Sequence, residues 1–350
     1  MWPYALIFGT QSLIALATAF KPRNRGFEVV SLFVMSLALL ILVGLRREIG
    51  ADWLAYLDMF YLADTSTLLI AMQRSDPAYM LINWITSRVV DEIWLSNLLC
   101  AAISIFGLAK FCYSRCTPHI ALLAALPYIV IVVMMGYNRQ GAAIGLVFLS
   151  MCEIERGRLF RFLFYAILAI LFHKSAMFVL PLGAFCFSKN RWISVLIIAS
   201  IAPVIYVYFI AASIERLSYV YLDSQYASRG ALVRTAFVAL NGLIYLLFLR
   251  QHESDVSAAR FWSLVSVLGV LAAPASVLFT SSTVVDRLAL YLMPLQMVVA
   301  CDLPARLRPD AARLLAYLFV IISYFILMTV WFMTTDYYYS WVPYKWYLWN

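Results

Sequence analysis

Residues 27–45 read FEVVSLFVMSLALLILVGL, an apolar run whose single charge is Glu28. Arg46-Arg47 closes it, and the chain continues Glu48-Ile49-Gly50-Ala51-Asp52-Trp53. Crossing the hydrocarbon core of a bilayer takes about 20 apolar residues in an α-helix. A helix also satisfies its backbone hydrogen bonds within itself, as lipid demands. The run reads as a transmembrane helix, and the charges after it mark the membrane boundary.

The same signature recurs along the chain. Of 350 residues, 65% are hydrophobic and 13% charged, with a mean hydropathy of +0.88; a soluble domain is about half apolar and a quarter charged. Apolar runs at 2–20, 27–45, 93–110, 119–136, 139–153, 159–172, 175–188, 192–212, 231–249, 261–280, 285–301 and 312–333 give about 11–12 spans. The fifth to seventh are short, as tilted or broken spans are. This predicts an all-α polytopic integral membrane protein with residues 1–350 as a single transmembrane domain. Its loops are too short for a soluble enzyme domain, a nucleic-acid reader or a disulfide scaffold. The net charge of +8 then reports orientation in the membrane, and no nucleic-acid partner is expected.

Loop charge sets that orientation. The loops with Lys21/Arg23/Arg25, Lys110/Arg115, Arg156/Arg158/Arg161, Lys189/Arg191, Arg250/Arg260 and Arg306/Arg308/Arg313 alternate along the chain and belong on the cytoplasmic side. Met1–Phe20 has no cation before it and several after it, so it reads as an uncleaved first span with its start outside. The longest loop, 46–92, carries Arg46, Arg47, Arg74 and Arg88 against Glu48, Asp52, Asp58, Asp64, Asp76, Asp91 and Glu92, which fits the outer face. Its stretch 77–90 is amphipathic enough to lie along the membrane surface. The Tyr- and Trp-rich stretch 337–349 suits the water–lipid boundary, with a substrate-stacking surface as the other reading. Five of the six cysteines fall at cytoplasmic span ends and Cys100 within a span. Reducing surroundings argue against disulfides, and Cys112, Cys116 and His119 lack a fourth ligand and a standard metal spacing. No metal and no cofactor is expected.

On this topology the unusual polar residues gather at outer span ends: Arg46/Arg47, Asp52, Asn138/Arg139/Gln140, His173/Lys174, the loop 213–230 with Arg216 and Arg229, and Asp286/Arg287. Charge near membrane depth is costly and marks a substrate path. Each group has a structural alternative. Asp52 either sits at the mouth of a turn made by Gly50 or caps the next helix. Arg139 opposes the dipole of the helix it opens, so it either binds an anion with the helix amides or snorkels to lipid headgroups. His173 is a general base or acid or a satisfied structural histidine, and Lys174 beside it offers a phosphate contact. Asp286 and Arg287, ahead of Tyr291, are site residues or an internal ion pair. Walker, nucleophile-elbow, HExxH and dinucleotide-binding motifs are all missing.

Taken in order, Arg46-Arg47, Gly50-x-Asp52-Trp53-x-x-Tyr56, Asp76-Pro77-x-Tyr79, Arg139-Gln140-Gly141-x-Ala143, Phe172-His173-Lys174-Ser175-Ala176 and Arg287-x-x-x-Tyr291 resemble the EpsG-like branch of the Wzy polysaccharide polymerases, over about 46–295. The resemblance implies a metal-independent membrane glycosyltransferase with a GT-C-like fold. It would reside in the bacterial inner (cytoplasmic) membrane with its active site facing the periplasm. Such enzymes join undecaprenyl-pyrophosphate-linked oligosaccharide repeat units into O-antigen or exopolysaccharide and release undecaprenyl pyrophosphate, beside a flippase and a chain-length regulator.

On that reading Arg139 and Arg287, with Arg46 and Lys174, bind the donor pyrophosphate. His173 or Asp52 is the general base, His173 preferred, and Gln140, Tyr291, Tyr56 and Asp286 contact sugar or phosphate by hydrogen bonds. The alternatives are an O-antigen ligase and a lipid-linked oligosaccharide flippase or other transporter. A transporter needs charge along the whole path, whereas here it collects at one face.

Overall fold

The computed structural model describes residues 1–20, 24–187, 230–278 and 282–348, with a few isolated positions between 192 and 203. Lys21, Arg23, Lys189, Arg191, Arg216 and Arg229 lie outside the described residues, as does most of the expected span 192–212.

The described residues form helices and no strand. In chain order these are α1 (Trp2–Ala19), α2 (Arg25–Gly44), α3 (Trp53–Thr65), α4 (Leu68–Arg74), α5 (Pro77–Thr86), α6 (Trp94–Tyr113), α7 (Pro118–Ala125), α8 (Asn138–Glu155), α9 (Leu159–Phe172), α10 (Val179–Ala184), α11 (Ala231–Ile244), α12 (Val256–Leu278), α13 (Ser282–Ala289), α14 (Pro294–Ala305) and α15 (Asp310–Thr334). A π-helix, Leu126–Met134, continues α7, and a 3-10 turn, Lys174–Phe178, precedes α10. Five stretches are long and apolar enough to cross a membrane: Arg25–Gly44, Trp94–Tyr113, Ala231–His252, Val256–Leu278 and Asp310–Thr334. Pro118–Met134 and Leu159–Phe172 are shorter apolar helices. The chain is an all-α, multi-pass membrane protein.

Two expected spans are divided. The run 175–188 begins as the 3-10 turn and only then becomes α10. The run 285–301 is interrupted between α13 and α14, where Pro294 starts a new helix because it has no N–H for the preceding turn. Segment 46–92 holds three short helices, α3 to α5; the sequence had indicated the last, and the first as the helix that Asp52 would precede.

Packing groups the chain into two compact units. The first comprises Met1–Phe148, Leu171–His173 and Ala300–Asn350. Within it Asn24 caps α2, its side chain accepting from the Phe27 amide at 3.1 Å. Helices α1, α2 and α7 are tied by a buried polar group. Gln11 Nε2 donates to the His119 carbonyl at 2.7 Å, and Ser31 Oγ lies 2.8 Å from His119 Nε2. Such bonds hold helices together where no hydrophobic force does. Gly107 of α6 and Gly145 of α8 meet backbone to backbone, and a Cβ on either would overlap the facing chain.

The second unit comprises Leu149–Ile170 and Lys174–Val299. In it α11 packs along α12, Thr235 Oγ1 lies 3.0 Å from Ser276 Oγ, and Trp262 Nε1 donates to Glu155 at 2.7 Å.

The six cysteines are free thiols, and no group of metal-ligating side chains occurs among the described residues. The aromatic stretch after α15 is pinned into the first unit. Tyr347 N–H donates to the Leu45 carbonyl at 2.9 Å, the Tyr344 hydroxyl to the Leu42 carbonyl at 2.7 Å, and the Lys345 carbonyl accepts from the Arg47 amide at 3.0 Å.

Candidate functional site

The first unit gathers its unusual polar residues around one carboxylate. Asp76 stands at the N-cap position of α5, just before Pro77, where a negative charge suits the helix dipole. Its side chain makes no cap bond. Instead Asp76 Oδ2 accepts from Arg139 Nη1 at 2.9 Å and faces His173 Nδ1 at 3.6 Å. Arg139 Nη1 also donates to Ser75 Oγ at 3.0 Å, and its guanidinium carbon lies 5.8 Å from the centre of the Tyr56 ring. The carboxylate is 4% exposed, the arginine side chain 25% and the histidine 15%.

The surrounding shell is buried and polar. Tyr56 and Tyr79 meet edge to face with ring centroids 5.5 Å apart, and burial pushes both phenols up, so they are neutral at physiological pH. Asn138, the first residue of α8, donates through Nδ2 to Asn97 Oδ1 at 2.5 Å and accepts from Arg46 Nη2. Arg46 Nη1 donates to the Val43 carbonyl in the last turn of α2, where a cation suits the helix C-terminus. Arg46 is 1% exposed. Both of its terminal nitrogens are engaged inside the fold, so its effect on α8 runs through Asn138. Gln140 is buried, with no partner for Nε2, and the same holds for Arg139 Nε. Asp52 occupies the N-cap position of α3. Its carbonyl accepts from the Tyr56 amide at 3.0 Å and its side chain makes no cap bond.

The second unit holds the remaining candidates. Asp286 of α13 receives a bidentate pair from Arg234 of α11, Nε at 2.6 Å and Nη2 at 2.7 Å. Tyr291, fully buried, has its hydroxyl 2.9 Å from Ser175 Oγ. Lys174 opens the 3-10 turn, and Arg287 lies on α13 beside Asp286.

Of the sequence candidates, the structure brings Arg139, His173 and Tyr56 together in the first unit. It adds Asp76 and Ser75, to which sequence reasoning had given no role, and gives Asn138, grouped with Arg139 in the sequence, its contacts to Arg46 and Asn97. The signal for Asp76 lay in the Asp-Pro pair, which reads equally as an ordinary helix start. In the second unit it adds Arg234 as the partner of Asp286, an arginine that reads as a boundary cation at the start of a span.

Chemically, the Asp76 carboxylate lies just beyond hydrogen-bond distance of His173 Nδ1, which has no hydrogen-bond partner, so a small movement of the ring would bond Nδ1 and leave Nε2 for proton transfer. The Arg139 guanidinium, bonded to Asp76, Ser75 and Tyr56, still has N–H groups left over for an anion, because a guanidinium carries five.

The sequence profile of the EpsG family matches residues 29–346. The chain belongs to the EpsG family. That family consists of polysaccharide polymerase-like membrane proteins. The match takes in every segment that carries the Arg139–Asp76–His173 group. No curated protein matches the chain, and neither does any solved structure.

Proposed function

We propose that this EpsG-family protein polymerises lipid-diphosphate-linked oligosaccharide repeat units on the outer face of the bacterial cytoplasmic membrane, releasing undecaprenyl pyrophosphate. The observation that carries the reading is the Asp76 carboxylate shared between Arg139 and His173.

In the reaction, a sugar hydroxyl of the incoming unit attacks the anomeric carbon of the growing chain. A new C–O bond forms as the bond from that carbon to the diphosphate oxygen breaks, and the electron pair leaves with the diphosphate. His173 Nε2 takes the hydroxyl proton, a step typically worth about 10²–10⁴ in rate. Asp76 orients the ring through Nδ1. Arg139 stabilises charge developing on the departing diphosphate, where loss of one such donor typically costs about 10²–10³. Tyr56 and Gln140 offer hydrogen bonds to sugar or phosphate, and Asp52 orients the acceptor. The outward placement is supported by loop charge, since segment 46–92 is acidic while the alternate loops are basic.

Deleting the gene in its native host and analysing lipid-linked glycans tests this reading. Accumulation of single lipid-linked repeat units supports a polymerase. Accumulation of long lipid-linked polymer assigns the protein to ligation, and units trapped on the cytoplasmic face assign it to transport.

A further inference from the structure

Trp341 is buried and held from several sides. Its indole Nε1–H donates to the Ile131 carbonyl at 2.8 Å, its own carbonyl accepts from the Tyr4 hydroxyl at 2.8 Å, and Trp331 meets it edge-on with ring centroids 5.0 Å apart. Ile131 belongs to the π-helix that continues α7, a geometry frequent at functional sites.

The indole also covers Gly136, where a Cβ would come within 2.7 Å of Trp341 Cζ2. Gly50 approaches the same backbone, at φ +108, and a Cβ on it would lie 2.9 Å from Gly136 Cα. The Gly50 amide in turn donates to the Ser340 carbonyl at 2.9 Å.

The tail is therefore bonded to both chain segments that lead to the start of α8. From one side, Arg46 pairs with Trp346 through a backbone bridge and holds Asn138 with its guanidinium. From the other, the π-helix and Gly136 run through Tyr137, whose amide donates to the Val133 carbonyl at 2.9 Å, directly into Asn138-Arg139.

We infer that Trp341 is a positioning residue for Arg139: by fixing the π-helix and the backbone at Gly136, it sets the first turn of α8 and hence where the guanidinium stands against Asp76. The inference rests on the proposed role of Arg139 as a diphosphate ligand. A tryptophan that only filled space would be replaceable by another ring. This one also supplies an N–H to a main-chain carbonyl of the π-helix. Phenylalanine keeps a ring over Gly136 and removes that donor.

The test uses the purified full chain in lipid nanodiscs, with inorganic pyrophosphate as the probe and affinity read by titration calorimetry. Trp341→Phe should reach the membrane at the wild-type level and bind pyrophosphate about tenfold more weakly. In an Arg139→Lys background the same change should cost less than twofold, because residues acting through one another are non-additive. Unchanged affinity in Trp341→Phe, or an equal loss in both backgrounds, overturns the inference. If Trp341→Phe fails to accumulate, Tyr4→Phe removes only the bond to the Trp341 carbonyl and should weaken binding about threefold, again only when Arg139 is present; wild-type affinity there overturns it. A wild-type chain that binds no pyrophosphate removes the role of Arg139 itself, and this inference with it. A wild-type chain that binds pyrophosphate while Trp341→Phe matches it removes only the inference.

Discussion

Asp76 Oδ2 and Arg139 Nη1 lie 2.9 Å apart across 63 positions of sequence. The pair joins the start of α5 to the start of α8, and the same oxygen faces His173 Nδ1 at 3.6 Å. One acidic side chain thus binds the cation and stands beside the imidazole of the proposed chemistry.

Asp76→Asn keeps the shape and removes the charge. Polymerisation should fall about 10²-fold or more, within the range for an impaired general base and a displaced charge stabiliser, while the protein still accumulates in membranes. Product formation per unit of membrane-embedded protein measures this.

Asp286 distinguishes a sugar contact from an ion pair. Its bidentate bond to Arg234 is mostly buried, and breaking a charge-assisted pair of this kind costs about 1.5–3 kcal/mol. Asp286→Asn should lower the thermal unfolding temperature in detergent, and Arg234→Gln should lower it similarly. Loss of activity with an unchanged unfolding temperature would make Asp286 a substrate contact.

The α6–α8 crossing depends on two glycines. Gly107→Ala places a methyl group on the Gly145 carbonyl, and overpacking of this kind costs about 1–3 kcal/mol. Gly9→Ala, where the added carbon meets nothing within 4 Å, should be silent. Membrane protein level and thermal unfolding compare the two.

Glu48 and Lys345 pair at the exposed end of the C-terminal segment, and the hydrogen bond from Lys345 holds the Glu48 carboxyl below its ordinary pKa. Because the folded value is the lower one, the pair's contribution is present above the usual carboxylate range and is lost as pH falls through the folded pKa. Both side chains are about half exposed, so the effect is at most about 1 kcal/mol. Thermal unfolding of the wild type should drop slightly more than that of Glu48→Gln between neutral and acidic pH.

The membrane-spanning architecture was legible because long apolar runs with few charges have one solution in lipid. The short helix α4 was not, and α3 showed only as the helix that Asp52 would precede, since segment 46–92 mixes charges and aromatic residues without a clean period. The π-helix at Leu126–Met134 leaves no mark in a run that is apolar at nearly every position. Arg139 and His173 stood out as a cation and an imidazole at span ends, where propensity and the positive-inside bias would not put them. Asp76 was masked by its ordinary role before Pro77, and Arg234 by its place at a span boundary. The separation of Asp76 from Arg139 and of Arg234 from Asp286 is set by tertiary packing, which spacing along one chain does not encode.

The most direct measurement is polymerisation by the purified full chain supplied with lipid-diphosphate-linked repeat units, without added nucleotide and with EDTA present. The wild type should give a ladder of products, Arg139→Ala and His173→Ala none, and both variants should insert into the membrane normally. A ladder formed at the wild-type rate by His173→Ala or Arg139→Ala would contradict the proposed chemistry.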